Sequence, residues 1–182
     1  EAVTMTAAEH RRGVEIVVEQ GRGRVPTVAG AGSNDTAKAV AQSKEMKAAG
    51  ATHLLHVSPM YNKPPQRGIV EHFKRIADAT DLGVVVYNVP GRTGGNIEAK
   101  TTLALAALPH IAAVKEASGN LAQIYDILRD RPDHFSVLSG DDELTLPVMA
   151  AGGDGVISVV SNATPKAMAQ LCDVAAAGDI EA

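Results

Sequence analysis

Short apolar runs alternate with amphipathic stretches along the whole chain. Residues 25–30, 53–58, 83–88, 112–117, 135–139 and 155–160 are rich in Val, Ile, Leu and Ala, and each is closed by Gly, Pro, Asn, Asp or Ser. That is the pattern of strands buried on both faces. Between them the apolar period lengthens to that of a helix. Thr6 with Glu9 three residues later reads as a capping box, followed by Val14, Val17 and Val18 as one stripe up to Gly21. Ser33-Asn34-Asp35 caps a second helix, with Ala37, Val40, Ala41 and Met46 inward and Gly50 as its stop. A third helix over 66–80 turns Ile69, Val70, Phe73 and Ile76 inward. Further helices run through Leu103 and Leu105, over 121–128, and through Leu144, Leu146 and Met149. A last one opens at Thr164-Pro165, with proline in its first position.

Six strands thus alternate with seven helices in steps of roughly 20 to 30 residues, the size of a βαβ unit. The steps share no sequence period, so the chain is not a solenoid. Strict alternation implies an α/β fold with a parallel sheet, either doubly wound or a (β/α)8 barrel. A dinucleotide-binding turn is rejected, because Gly30-Ala31-Gly32 lacks the third glycine that the fingerprint requires. Polar residues then decide between the two architectures. Tyr61, Tyr87-Asn88, Arg92, Lys115-Glu116, Asp141-Asp142, Ser158 and Asn162 all fall at or just beyond strand C-termini. In a barrel these ends meet at one mouth, whereas in a doubly wound sheet only those at the switch point would meet. The expected architecture is an incomplete (β/α)8 barrel spanning 1–182 as a single partial domain.

Composition narrows the function classes. The 182 residues carry a net charge of −4 and 45% hydrophobic residues, enough for a sizeable core. Charges are interspersed, no apolar run reaches membrane-spanning length, and three Tyr, two Phe and no Trp give little for base stacking, so neither nucleic acid nor membrane is expected as a partner. The single cysteine, Cys172, is expected as a small core residue of an intracellular chain. No targeting segment is evident. The six histidines show no ligand spacing with carboxylates, which speaks against a metal-dependent reaction; His53 and His56 are expected at a strand entry and a core face.

One run, 112–117, places a lysine in an otherwise apolar strand. On its own, Lys115 can be a strand-end lysine whose head reaches water. It can equally be a desolvated amine, and a neutral lysine amine is the nucleophile of Schiff-base chemistry.

The stretches Tyr87-Asn88-Val89-Pro90-Gly91-Arg92-Thr93-Gly94, Val114-Lys115-Glu116-Ala117-Ser118-Gly119-Asn120, Ser139-Gly140-Asp141-Asp142 and Gly155-Val156-Ile157-Ser158 resemble, in order and spacing, the class I pyruvate-dependent aldolases. This is the family of dihydrodipicolinate synthase, N-acetylneuraminate lyase and the keto-deoxy-sugar aldolases. The resemblance implies that Lys115 forms an imine with pyruvate and that Tyr87 shuttles protons. Tyr61, in Pro59-Met60-Tyr61-Asn62, would extend the proton relay across a subunit interface. Arg92 would hold the carboxylate of the partner aldehyde, a bidentate task suited to guanidinium. That points to the synthase branch, with L-aspartate-4-semialdehyde as second substrate in lysine and diaminopimelate biosynthesis. Ile157 would contact pyruvate through its backbone; Gly140 and Asn88 complete the expected substrate-binding set. Asp141 and Asp142 can serve the site or cap the helix that follows. No cofactor or metal is implied. A homo-oligomer, built as a dimer of dimers, and a cytoplasmic setting are.

Departures from the family pattern add expectations. The first two barrel strands, the first helix and the C-terminal helices have no counterpart here. Glu1 matches the end of a Gly-Thr-Thr-Gly-Glu motif whose threonines bind the pyruvate carboxylate, so the chain reads as a fragment, expected to be unstable or inactive alone. Lysine-inhibited family members carry an acidic residue, a tyrosine and a histidine where this chain has Lys38, Met60 and Ala7, so lysine is expected to inhibit weakly or not at all. Other 2-keto acid lyases or dehydratases of the family, and a non-catalytic barrel module, are the alternatives.

Overall fold

The computed structural model describes residues 4–179; the expectation placed on Glu1 lies outside them. Six strands, β1 (Val28–Gly30), β2 (His53–Val57), β3 (Gly83–Asn88), β4 (Ile111–Glu116), β5 (Ser136–Ser139) and β6 (Gly155–Val156), form one parallel sheet in the order of the sequence. Around them run α1 (Ala7–Gly21), α2 (Thr36–Ala48), α3 (Gln66–Ala79), α4 (Pro90–Thr93), α5 (Ala99–Ala106), α6 (Leu121–Asp130), α7 (Thr145–Ala150) and α8 (Pro165–Ala176). Helix packs on helix in one continuous series, α1–α2–α3–α5–α6–α7–α8. A doubly wound sheet would reverse its strand order and divide its helices between two faces. Sequential order with a single helical layer is that of an incomplete (β/α)8 barrel.

The two faces of the sheet differ accordingly. Toward the helices point Ala29, Leu54, His56, Val84, Val86, Asn88, Val114, Glu116, Val137 and Ser139, each 3% exposed or less. Most of the apolar ones join Ile69, Phe73, Ile76, Leu105, Ile124 and Ile127 in the main core, while Ala29 and Leu54 belong to a second one with Val14 and Met46. The strand period of two sends Leu55, Val57, Tyr87, Lys115 and Leu138 to the concave face. The register shift between Val84 and Val85 inserts one residue of β4 against β3, pairing Val84 with Ile111 but Val85 with Ala113. Tyr87 consequently stands opposite Lys115 rather than Val114.

Several local expectations are corrected. β1 begins at Val28 because Pro26 has no N–H for a ladder and Val25 is exposed. β6 ends at Val156; after Ile157 donates to the Ser139 carbonyl the chain turns into a 3-10 turn at Val160–Asn162. The loop after β3 contains an eighth helix, α4, with Pro90 in its first turn and Gly94 closing it at φ 76°. The buried face of α2 is Ala39, Ser43 and Met46, while Ala37 and Ala41 are exposed. Ser43 can lie inside because its hydroxyl donates to the Ala39 carbonyl at 2.7 Å. In α1 Val14 is buried, but Val17 is exposed. Cys172 is half-buried on α8 and is not a core residue.

Candidate active site

Lys115 and Tyr87 are register partners on neighbouring strands, and Lys115 Nζ lies 4.3 Å from the Tyr87 ring centroid. Lys115 is 8% exposed, so its amine is largely removed from bulk water. Space for its stem depends on Gly140, the first residue past β5. A β-carbon there would stand 3.2 Å from Lys115 Cε and 2.6 Å from Ala117 Cβ.

Behind this pair, on the helix side, lies a buried polar network. Asn88, expected as a substrate ligand, faces away from Lys115. Its Nδ2 donates to Glu116 Oε1 and Oε2 at 3.1 and 3.0 Å and to Asn96 Oδ1 at 2.8 Å, and its Oδ1 accepts from the Ile97 N–H at 2.9 Å. Glu116 accepts further from the Ser118 N–H at 2.8 Å and from Gln123 Nε2 at 3.1 Å. Burial pushes the Glu116 carboxyl above its ordinary value, against hydrogen bonds from Asn88, Ser118 and Gln123 that draw it down. Asn88 and Glu116 thus meet behind the sheet rather than at the mouth, where their place at the strand ends had put them. The signal for this was present, since two polar residues stand one position beyond Tyr87 and Lys115, on the face that the strand period buries.

The loops at the strand ends carry the remaining candidates. Tyr61 is 88% exposed and lines a cavity of about 560 Å³ with Met60, Lys63 and the α4 residues Gly91, Arg92 and Thr93. Tyr61 and Lys63 both take left-handed backbone conformations, φ 68° and 46°, which non-glycine residues adopt only under constraint. The constraint is visible. The Tyr61 N–H donates to the Thr93 carbonyl, and Asn34 and Asn62 exchange hydrogen bonds, Asn34 also reaching the Met60 carbonyl. Asn34 is thereby occupied with this loop, and the cap of α2 is Asp35, accepting from the Ala37 and Lys38 N–H groups. A second cavity of about 370 Å³ is lined by His10, Gly30, Gly32, Gln42, Leu55, Val57, Met60 and Tyr87 among others. Lys115 lines neither cavity, lying instead against Tyr87.

Neither Asp141 nor Asp142 caps with its side chain the helix that directly follows. Asp142 Oδ2 accepts from the Val159 and Val160 N–H groups at 3.1 and 3.0 Å, tying the segment after Ile157 to the end of β5. The Ser158 side chain first, then those N–H groups and the charge of Lys115, hold the Asp142 carboxyl below its usual range. Among the described residues no group of three or more His, Cys, Asp or Glu is placed to hold a metal ion, and no helix is long and apolar enough to cross a membrane.

The sequence matches the family described as "Dihydrodipicolinate synthetase family" over residues 1–182. It is 50% identical over 182 residues to a 4-hydroxy-tetrahydrodipicolinate synthase of Chlorobium phaeovibrioides, covering 100% of this chain and 62% of that protein. The corresponding figures for the same enzyme of Neisseria meningitidis are 47% over 180 residues, 99% and 62%. Among solved structures, dihydrodipicolinate synthase from Aquifex aeolicus superposes with a TM-score of 0.95 at 42% identity, covering 99% of this chain and 62% of that one. The chloride-inhibited dihydrodipicolinate synthase of Acinetobacter baumannii, complexed with pyruvate, superposes at 0.96 with 39% identity, covering 100% and 62%. The chain therefore spans about 62% of the length of the curated relatives it matches.

Proposed function

The chain belongs to the dihydrodipicolinate synthetase family, and from that premise we propose that the full-length protein containing it condenses pyruvate with L-aspartate-4-semialdehyde through an imine on Lys115. The observation that carries this reading is the pairing of Lys115 with Tyr87 in a water-poor strand interior, the amine nitrogen 4.3 Å from the ring centroid. Imine formation needs a neutral amine, and exclusion of water favours that form. The Lys115 nitrogen attacks the keto carbon of pyruvate, the carbinolamine loses water, and loss of a methyl proton gives the enamine that adds to the aldehyde. A phenol beside the amine can give and take the protons these steps require. Tyr61, exposed in this chain, would continue the relay from a neighbouring subunit of a homo-oligomer, a dimer of dimers.

Arg92, exposed at the end of α4 beside Tyr61, would receive the aldehyde's carboxylate. Ile157 would offer its backbone carbonyl to pyruvate, since its N–H is spent on Ser139. Asn88 enters this reading as a support behind the site. The product would serve lysine and diaminopimelate synthesis in the cytoplasm. The test is borohydride reduction of the full-length protein in the presence of pyruvate, followed by peptide mass mapping. A pyruvate-derived adduct on Lys115 is expected, and its loss in Lys115→Met. A folded protein that gives no adduct overturns the imine. Turnover with another aldehyde in place of aspartate semialdehyde would keep the imine and change the substrate.

A further inference from the structure

Asn88 and Glu116 are register partners one residue beyond Tyr87 and Lys115, and both are 1% exposed or less. Asn88, Ser118 and Gln123 all donate to the Glu116 carboxylate, and these donors sit on three different pieces of chain. Asn88 is on β3, the Ser118 N–H belongs to the turn after β4, and Gln123 is on α6. Asn96 ties the same cluster to the segment before α5 through Asn88 and Gln123. A carboxylate can accept from all these donors at once, whereas an amide in its place would turn an NH2 group toward at least one of them. Burying an anion is unfavourable, and charge-assisted hydrogen bonds offset it only when all its partners stay in place.

Building on the lysine-imine reading above, we propose that Glu116 is a positioning residue for Lys115. Its carboxylate fixes the C-terminal ends of β3 and β4 to each other, and so holds the Lys115 amine and the Tyr87 phenol at their working separation. It acts from the opposite side of the sheet and touches no reacting atom.

The test uses the full-length protein with E116Q, Q123L and the double variant N88D/E116Q. In the double variant the acceptor and donor of the 88–116 pair are exchanged, which restores the bond. For folded E116Q, the rate of borohydride-trapped adduct formation at saturating pyruvate and kcat are both expected to fall about 10- to 100-fold, with KM for pyruvate little changed. N88D/E116Q is expected to recover much of that loss. A purely structural role would lower the melting temperature and leave the trapping rate of the folded fraction at its wild-type value; that result overturns the proposal. Should E116Q not fold, Q123L removes one donor at the rim of the network and carries the same expectation in direction, and an unchanged trapping rate in folded Q123L overturns it equally. Absence of any adduct in the wild-type protein removes the lysine-imine reading, and this inference with it. A normal wild-type adduct with unaltered trapping in the variants removes this inference alone.

Discussion

A β-carbon placed on Gly140 would meet Ala117 Cβ at 2.6 Å, the Glu116 carbonyl oxygen at 3.2 Å and Lys115 Cε at 3.2 Å. The 2.6 Å clash is with an atom fixed by backbone, so the chain at Ala117 and Gly140 has to move apart, and the Lys115 stem beside it is displaced as well. Gly140→Ala in the full-length protein is therefore expected to lower the melting temperature and, in the folded fraction, to slow adduct formation with pyruvate about 10- to 100-fold, as displacement of a reacting group by an ångström can do. Wild-type trapping in that variant would mean that Lys115 has room to spare. His56 poses a different question. It is fully buried, and its Nε2 lies 3.0 Å from a Ser43 hydroxyl whose own proton goes to the Ala39 carbonyl. Nε2 is thus the donor, and the buried Nδ1 has no hydrogen-bond partner. Burial, aided by the nearby His72, lowers the His56 pKa to about 3. Between pH 6.5 and that value the unfolded chain binds a proton that the folded one refuses. Stability is therefore complete above pH 6.5 and declines as pH falls, by up to about 1.4 kcal/mol per pH unit for one such histidine. His72, also lowered by burial, adds in the same direction. Urea midpoints of the full-length protein at pH 7 and pH 5 are expected to show this decline, and His56→Gln to reduce its slope. An identical slope in the variant would remove His56 as its source.

At the scale of elements, apolar runs bounded by turn residues were enough to locate all six strands and the order of the helices between them. Their ends were not legible, because they depend on where ladder donors run out: at Pro26, which has none, and after Ile157, where the chain curls away. In the alanine-rich α2 the face expected at Ala37, Val40, Ala41 and Met46 was only partly right, because alanines mark no side strongly and the buried face includes Ser43, held against His56. Lys115 and Tyr87 were legible as motif residues. Their apposition was not, since it rests on the one-residue shift at the start of β4. Glu116 was legible as a polar residue at a strand end, but its role was not, because its partners come from a strand, a turn and a helix that only the fold brings together. The helix starts also bear on regulation. Met5, His10 of α1, Gly32 before α2 and Met60 line one cavity, and Lys38 is exposed on the first turn of α2. An ammonium on the first turn of α2 would repel the ammonium of a lysine molecule bound beside it, and neither Met60 nor Ala7 offers a hydrogen-bonding side chain. Lysine is expected to inhibit the full-length protein weakly or not at all in an initial-rate titration. Inhibition at sub-millimolar lysine would sink this expectation.

For the whole molecule, the strand order leaves β1 and β6 as edges, each paired on one side only among the described residues. In β1 itself Val28 is 43% exposed on the concave face, and beyond β6 stand Val159 and Val160, 62% and 47% exposed. None of the described residues of α8 is buried. Parallel strands are stable when paired on both edges and covered on both faces, and open apolar edges invite association between chains. The concave face with the least cover is the face that carries Lys115 and Tyr87, so whatever loosens it also loosens the candidate site. The 182-residue chain, spanning about 62% of the length of its relatives, is therefore expected to denature without a sharp transition, to associate as its concentration rises, and to show no turnover of pyruvate with aspartate semialdehyde. The full-length protein is expected to melt cooperatively and to turn over. Calorimetry and light scattering on both, with a coupled assay for the condensation, make the comparison. A cooperative, concentration-independent melt of the 182-residue chain accompanied by turnover would show that six strands suffice to hold the Lys115–Tyr87 pair in working order. A cooperative melt without turnover would separate the two claims, leaving the fold self-sufficient and the chemistry dependent on residues beyond this chain.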